Sequence, residues 1–173
     1  MKIMIITITG LPGSGKTSVA KELSRHLHIK HYSMGDLFRR LAHKKHKNFL
    51  KLMKEKEKII DFLDKEQVII AKNNKNAIID SRLGAYLIKN AKYKIYLHAS
   101  LKKRAQRLVS RDKENYKEAV KEILSREKFE ISHYKKRYNV DYRNKKLYNL
   151  IINTENLKVN DCAKKILSKI NSS

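Results

Sequence analysis

Three of the chain's five glycines and its only proline fall within six residues, Gly10-Leu11-Pro12-Gly13-Ser14-Gly15, and Lys16-Thr17-Ser18 follow at once. Glycine is scarce elsewhere, so most connections manage without it. Where it concentrates, the backbone needs positive φ or a close approach by a ligand. Gly10 to Thr17 fits the pattern G-x-x-x-x-G-K-[ST] at every fixed position. The flanks fit too. Lys2 to Thr9 is a β-branched run that reads as a buried parallel strand. After Gly15, residues Val19, Ala20, Leu23 and Leu27 share one face of a helix. A loop so placed turns consecutive backbone N–H groups inward around phosphate oxygens. The helix N-terminus adds partial positive charge. Lys16 brings a point charge to the β- and γ-phosphates of a nucleoside triphosphate, and Thr17 offers a hydroxyl to Mg²⁺. Gly10 through Ser18 are therefore the expected nucleotide-binding residues.

The rest of the chain alternates strand and helix. His31-Tyr32-Ser33, Ala77 to Asp80, Tyr93 to His98 and Leu147 to Asn153 read as four further strands. The last helix places Val159, Cys162, Ala163, Ile166, Leu167 and Ile170 on one face. Such alternation predicts an α/β fold: a parallel sheet with helices on both faces. Two stretches break it, Asp36 to Asn74 and Asp112 to Asn144. Both read as helical, and the second is very charged. They are expected to be mobile inserts on the side where such sheets bind ligands. The 173 residues then form one domain, with a core of 1–35, 75–111 and 145–173.

Composition narrows the setting. No apolar run is long enough to span a bilayer, and Ile3 to Thr9 lacks a signal-peptide cleavage site. Cys162, the lone cysteine, excludes an internal disulfide and a multi-cysteine zinc site. A cytoplasmic compartment is expected, with no membrane partner. The net charge of +24 attracts nucleotides and RNA alike. Its lysines are spread along the chain and mixed with Glu and Asp, as in Lys51 to Lys65, which reads as an ion-paired surface rather than a nucleic-acid stripe.

Arginine is used more selectively, with ten against 31 lysines. Guanidinium grips phosphate in a bidentate fork that lysine cannot form. Arg39 follows Gly35 by four residues, and Arg82 follows Asp80 by two; both are placed to hold an acceptor phosphate. Arg104, Arg107 and Arg111 fall on one helix face. Asp80 ends a short apolar strand, where its carboxylate can face the glycine-rich loop and hold Mg²⁺ with Thr17. His26, His28 and His31 cluster at a helix end, with no clear carboxylate or cysteine to complete a metal site.

Taken together, these residues resemble the nucleoside monophosphate kinases, and most closely the archaeal type of cytidylate kinase. The resemblance runs from Ile6-Thr7-Ile8-Thr9-Gly10 through Ser33-Met34-Gly35-Asp36-Leu37-Phe38-Arg39 and Ile79-Asp80-Ser81-Arg82-Leu83. It continues in Lys94-Ile95-Tyr96-Leu97, Arg104-Ala105-Gln106-Arg107, Tyr138-Asn139-Val140-Asp141 and Leu150-Ile151-Ile152-Asn153-Thr154. It implies a P-loop NTPase core of three layers with a five-stranded parallel sheet. Residues 36–74 become a monophosphate-binding insert and 112–144 a lid. The implied reaction is phosphorylation of CMP or dCMP by ATP with Mg²⁺, in a monomer. Asp36, Arg39 and Arg82 are the implied acceptor residues. Arg107, Arg111 and the lid arginines Arg126 and Arg137 stabilise the transferring phosphoryl, and Asn153-Thr154 lie near the ATP base.

Some positions differ from the family pattern. Ser81 stands where glycine is usual before the acceptor arginine, and Gly84-Ala85 reverses the usual order. His133 stands where a lid arginine is expected, and Arg137, four residues on, is expected to take over its role. An adenylate kinase or another small-molecule P-loop kinase is the alternative within the class. An RNA-binding NTPase is the alternative outside it.

Overall fold

The computed structural model describes residues 4–45, 49–112 and 115–172. Five strands form one parallel sheet: β1 (Met4–Gly10), β2 (His31–Ser33), β3 (Asn76–Asp80), β4 (Tyr93–His98) and β5 (Leu150–Asn153). Their spatial order is β2-β3-β1-β4-β5. Among the described residues, seven helices connect or follow them: α1 (Lys16–Leu27), α2 (Met34–Lys45), α3 (Phe49–Asn73), α4 (Gly84–Leu87), α5 (Leu101–Asp112), α6 (Tyr116–Tyr138) and α7 (Val159–Asn171). The expected α/β architecture is present.

β1 lies at the centre, and its side chains alternate between two cores. Ile6 and Ile8 pack with Val19, Ala20 and Leu23 of α1 and with Cys162, Ala163 and Ile166 of α7. Ile5 packs on the opposite face with Ala71 of α3, Ile79 of β3 and Ile88. Each buried isoleucine contributes about 1.5–3 kcal/mol, so a strand buried on both faces anchors the sheet. All the strands run the same way. Gly10, Ser33, Asp80, His98 and Asn153 therefore line up at one edge, the edge at which parallel sheets hold ligands.

Two expected elements are shorter than the sequence suggests. The last strand begins at Leu150, not Leu147, because Lys145–Leu147 forms a 3-10 helix. There Asn144 Oδ1 accepts from the Lys146 N–H at 3.1 Å. Asn149 then pairs with β4 through its side chain as well as its backbone: Oδ1 accepts from Lys94 N–H at 2.9 Å, and Nδ2 donates to Lys92 O at 3.0 Å. The charged helix of 112–144 starts at an Asn115 cap, which accepts from Glu118 N–H at 2.9 Å. It stops at Tyr138, because Asn139 turns left-handed with φ 54°. Its few apolar residues are well used. Ala119 and Ile123 bury against Ala105 and Leu108 of α5, and Tyr134 joins Ile60, Leu83 and Tyr142.

Candidate active site

The glycine-rich loop leads from β1 into α1. Gly13 and Gly15 hold φ of 77° and 92°, a region that side chains rarely enter. A Cβ on Gly13 would also lie 2.7 Å from the backbone oxygen of Arg104, so only glycine lets α5 pack on the loop. Pro12, Gly13, Ser14, Gly15, Lys16, Thr17 and Ser18 all line a large cleft. Gly10 and Leu11 sit behind them and act through their carbonyls. Gly10 O accepts from Arg82 Nη1 at 3.0 Å, and Leu11 O from Lys16 Nζ at 3.2 Å. Burial, then the nearby Arg82 charge, push the Lys16 ammonium well below the usual lysine range, and Asp80 and Glu130 oppose them. A phosphate anion would restore what this lysine lacks.

Beside it, Thr17 Oγ1 donates to Asp80 Oδ2 at 2.5 Å, and Ser33 Oγ donates to the same oxygen at 3.3 Å. His31 Nε2 lies 3.9 Å from that oxygen. Burial raises the Asp80 pKa, but His31, Lys16 and Thr17 together outweigh it and hold the carboxyl below its usual range. An ionised carboxylate and a hydroxyl, side by side at the loop, form the oxygen donor set that a hard divalent cation prefers. The donors fit Mg²⁺.

The second group of residues comes from the segments between β2 and β3 and after β3. Arg39 of α2 is ion-paired to Asp36 one turn before it, and both line the cleft. Arg82 is largely buried. Its Nε donates to Glu130 Oε2 of α6 at 2.6 Å, and Tyr142 OH donates to the same oxygen at 3.1 Å. Before Arg82, the position that departs from the family pattern has a structural job. Ser81 Oγ accepts from Gly84 N–H at 2.9 Å and donates to Gln67 Oε1 at 2.6 Å. A Cβ on Gly84 would sit 2.6 Å from that hydroxyl, so serine at 81 and glycine at 84 belong together.

The remaining arginines separate. Arg107 and Arg111 of α5 and Arg126 of α6 line the cleft. Arg107 donates to Thr154 Oγ1 at 3.0 Å, to Thr154 O at 2.6 Å and to Gly13 O at 3.4 Å. Arg126 pairs with Glu122 at 3.0 Å. Three residues named from the sequence stand off the cleft wall. Arg104 is buried, donates to Pro12 O at 3.0 Å and Ala99 O at 3.1 Å, and is ion-paired to Glu127 of α6. Asn153 is exposed and caps Glu155 N–H at 2.9 Å, while its neighbour Thr154 reaches the cleft. Arg137 lies outside the cleft wall with its side chain 54% exposed, 3.5 Å from Asp61 of α3. His133, one turn earlier, is buried 3.7 Å from the same Asp61 oxygen.

The cleft measures about 1340 Å³, more than the roughly 300–1,000 Å³ of a pocket for one small ligand. Its wall includes residues that sequence reasoning missed: Asp64 and Gln67 of α3, Glu130 and Tyr134 of α6, and Leu157 and Lys158 before α7 with Val159 at its start. Glu130 and Asp64 carried no local signal, being acids on charged helices. The Asp64–Gln67 spacing of three residues would have placed both on one helix face. Among the described residues, no helix is long and apolar enough to cross a membrane.

Comparison with known proteins bears on the family and the fold. The family model of the cytidylate kinase-like family matches residues 5–156. A cytidylate kinase of Sulfurisphaera tokodaii is 38% identical over 172 residues, covering 97% of this chain and 96% of that protein. Among solved structures, an uncharacterized protein from Eubacterium ventriosum superposes with a TM-score of 0.76 at 18% identity, covering 98% of this chain and 99% of the other. A shikimate kinase from Acinetobacter baumannii, in complex with shikimate, gives 0.66 at 20% identity, covering 98% and 94%. These two likenesses speak for the fold, and the first two findings for the family. The chain therefore belongs to the cytidylate kinase-like family, as a nucleoside monophosphate kinase.

Proposed function

We propose that this chain transfers the γ-phosphoryl group of ATP to CMP or dCMP, giving ADP and CDP or dCDP, and does so as a monomer. The observation that carries the reading is one cleft holding both a triphosphate cradle and a separate pair of arginines. Pro12 to Ser18 take the ATP phosphates, and Arg39 and Arg82 take the acceptor phosphate. Thr154 borders the ATP base, with Leu157 and Val159 as apolar walls. In the reaction an acceptor phosphate oxygen bonds to the γ-phosphorus, and the bond to the β–γ bridging oxygen breaks. The transition state is loose, so positioning and charge neutralisation supply most of the rate. Lys16, Arg107, Arg111 and Arg126 are the cations assigned to the charge that develops on the transferring group. Mg²⁺, held by Thr17 and Asp80, would neutralise β- and γ-oxygens. Asp36 orients Arg39 through their ion pair.

The test is a panel of monophosphates with ATP and Mg²⁺. CMP and dCMP should give the highest kcat/KM. A panel led by AMP would replace this reading with adenylate kinase.

A further inference from the structure

Asp64 and Gln67 sit one turn apart on α3, are only 4% and 1% exposed, and both reach the cleft wall. Their side chains belong to a closed hydrogen-bond chain. Gly84 N–H donates to Ser81 Oγ, which leaves the Ser81 hydrogen free for Gln67 Oε1 at 2.6 Å. That contact, with the Asp64 carboxylate on the other side as an acceptor, sets which way the Gln67 amide faces. Its Nε2 then donates to Asp64 Oδ1 at 3.0 Å, and Tyr138 OH donates to Asp64 Oδ2 at 3.1 Å. Each Gln67 Nε2 carries two hydrogens, and one is used here. Each Asp64 oxygen has a further lone pair. What remains for a ligand is one N–H donor beside a carboxylate acceptor. Phe38, Leu63 and Tyr134 supply apolar wall in the same cleft, suited to the faces of a flat ring.

Resting on the proposed acceptor reading, we propose that Asp64 and Gln67 read the acceptor base: Asp64 accepts from its exocyclic amino group and Gln67 donates to the adjacent ring nitrogen. Cytosine presents that order, an N4 amino donor beside the N3 acceptor. Uracil presents the reverse, an O4 acceptor beside the N3–H donor. Uracil would set O4 against the Asp64 carboxylate and N3–H against the Gln67 amide hydrogen, leaving two buried pairs mismatched. Adenine repeats the cytosine order at N6 and N1. The pair therefore separates amino-bearing from oxo-bearing bases and treats cytosine and adenine alike. Burial already disfavours the Asp64 charge and pushes its carboxyl up to about 7, with Asp61 adding to the effect while Tyr138 and Gln67 oppose it. An amino donor stabilises the ionised form.

The experiment is steady-state kinetics of wild type, Asp64→Asn and Gln67→Met with CMP and UMP at saturating ATP. The CMP:UMP ratio of kcat/KM cancels any loss of folded enzyme. It should fall by roughly tenfold or more in Asp64→Asn, whose amide can turn a donor toward O4. It should fall in Gln67→Met as well, with KM for ATP little changed. A wild type that favours CMP, with a ratio unmoved in both variants, overturns this inference and leaves the CMP reading standing. A wild type that favours UMP overturns both. A wild type that favours AMP overturns the CMP reading; the base-reading pair then stands if the AMP:IMP ratio falls in Asp64→Asn, and is overturned if it does not.

Discussion

Arg82 Nε meets Glu130 Oε2 at 2.6 Å, and this pair ties the turn after β3 to α6 across the cleft. Arg82 also donates to Gly10 O, so one guanidinium joins the glycine-rich loop, the acceptor side and α6. Glu130 raises the Arg82 pKa against the effect of burial, and Arg82 with Arg126 and Lys16 holds Glu130 below its usual range. Without an acceptor phosphate, Glu130 is the anion that satisfies Arg82. Glu130→Gln leaves a buried cation short of its partner. Breaking such a pair costs about 3–5 kcal/mol, and at this chain length each kcal/mol shifts Tm by about 2–4 °C. The nucleotide-free variant should lose roughly 10 °C in thermal unfolding, on those scales. Saturating CMP should recover part of the loss, because its phosphate replaces the missing charge. An unchanged Tm would mean that water screens the pair.

Lys16→Ala should cut phosphoryl transfer to below about a tenth of wild type, given the electrostatic terms at such sites. It should leave the circular dichroism spectrum and Tm close to wild type. Lys16 contributes no apolar packing to the core clusters, and its ammonium is a desolvated charge facing Arg82. Removing it relieves repulsion while emptying the phosphate cradle. Turnover above that level, measured with saturating ATP and CMP, would move the γ-phosphate away from Lys16.

The acceptor arginines should split the two Michaelis constants. Arg39→Ala and Arg82→Ala should raise KM for CMP by about tenfold, the loss expected for a charged hydrogen bond, and change KM for ATP far less. Arg39 is the cleaner probe because it is half exposed and, among the described residues, is held by Asp36 alone. Equal changes in both constants would place these side chains on the ATP phosphates.

The fold was legible because its signals are local. Three glycines, a β-branched run and a 3.6-residue period mark β1, the loop and the helices without reference to anything distant. Lys16, Thr17 and Asp80 could be named for the same reason. What the sequence hid depends on contacts between segments far apart in the chain. Arg104 and Arg107 look alike, on one face of one helix. Yet Arg104 is buried against Pro12 O and Glu127, and Arg107 turns to Thr154. Asn153 and Thr154 are neighbours on a strand edge, where successive side chains point to opposite sides, and a strand read three residues too long does not show which one faces the cleft. Ser81 is irregular only in the sequence; in the fold Gly84 and Gln67 close around its hydroxyl.

Asp64 gives a pH signature. Its folded pKa of about 7 lies above the value of 3.8 it has as a free side chain. Between those two values the unfolded chain has lost its proton while the folded chain keeps it. Folding then takes up a proton, so stability from this group is full below about pH 4 and falls as pH rises to 7. Asp64→Asn cannot titrate. The Tm of the variant should therefore gain on that of the wild type as pH rises from 4 to 7, both without nucleotide. Taking the difference removes the acid-side repulsion of a chain with net charge +24. A difference that is flat across the window would show that Asp64 is solvated.

Arg126 and Arg137 of α6 were both candidates for the charge on the transferring phosphoryl. Eleven residues bring them near the same helix face, at about 100° per residue. The helix nevertheless delivers them to different places, because eleven residues also span about 16 Å along the axis. Arg126 lines the cleft, held by Glu122 at 3.0 Å. Arg137 lies beyond the wall, 3.5 Å from Asp61 and over the ring of Tyr138. His133, between them, is buried against the same Asp61 and stacks on Phe129. That end of α6 is occupied in joining α3, with Arg137 already facing an acid. Arg126→Ala should lower kcat by roughly tenfold to a hundredfold, in line with the loss of one preorganised cation at a developing charge. Arg137→Ala should cost less than about fivefold, as an exposed pair contributes at most about 1 kcal/mol. Lys at position 126 should recover part of the rate, since it restores charge without the bidentate fork. Measuring kcat for the three variants at saturating ATP and CMP decides the matter. A larger loss from Arg137→Ala than from Arg126→Ala would require α6 to shift along its length when nucleotides bind.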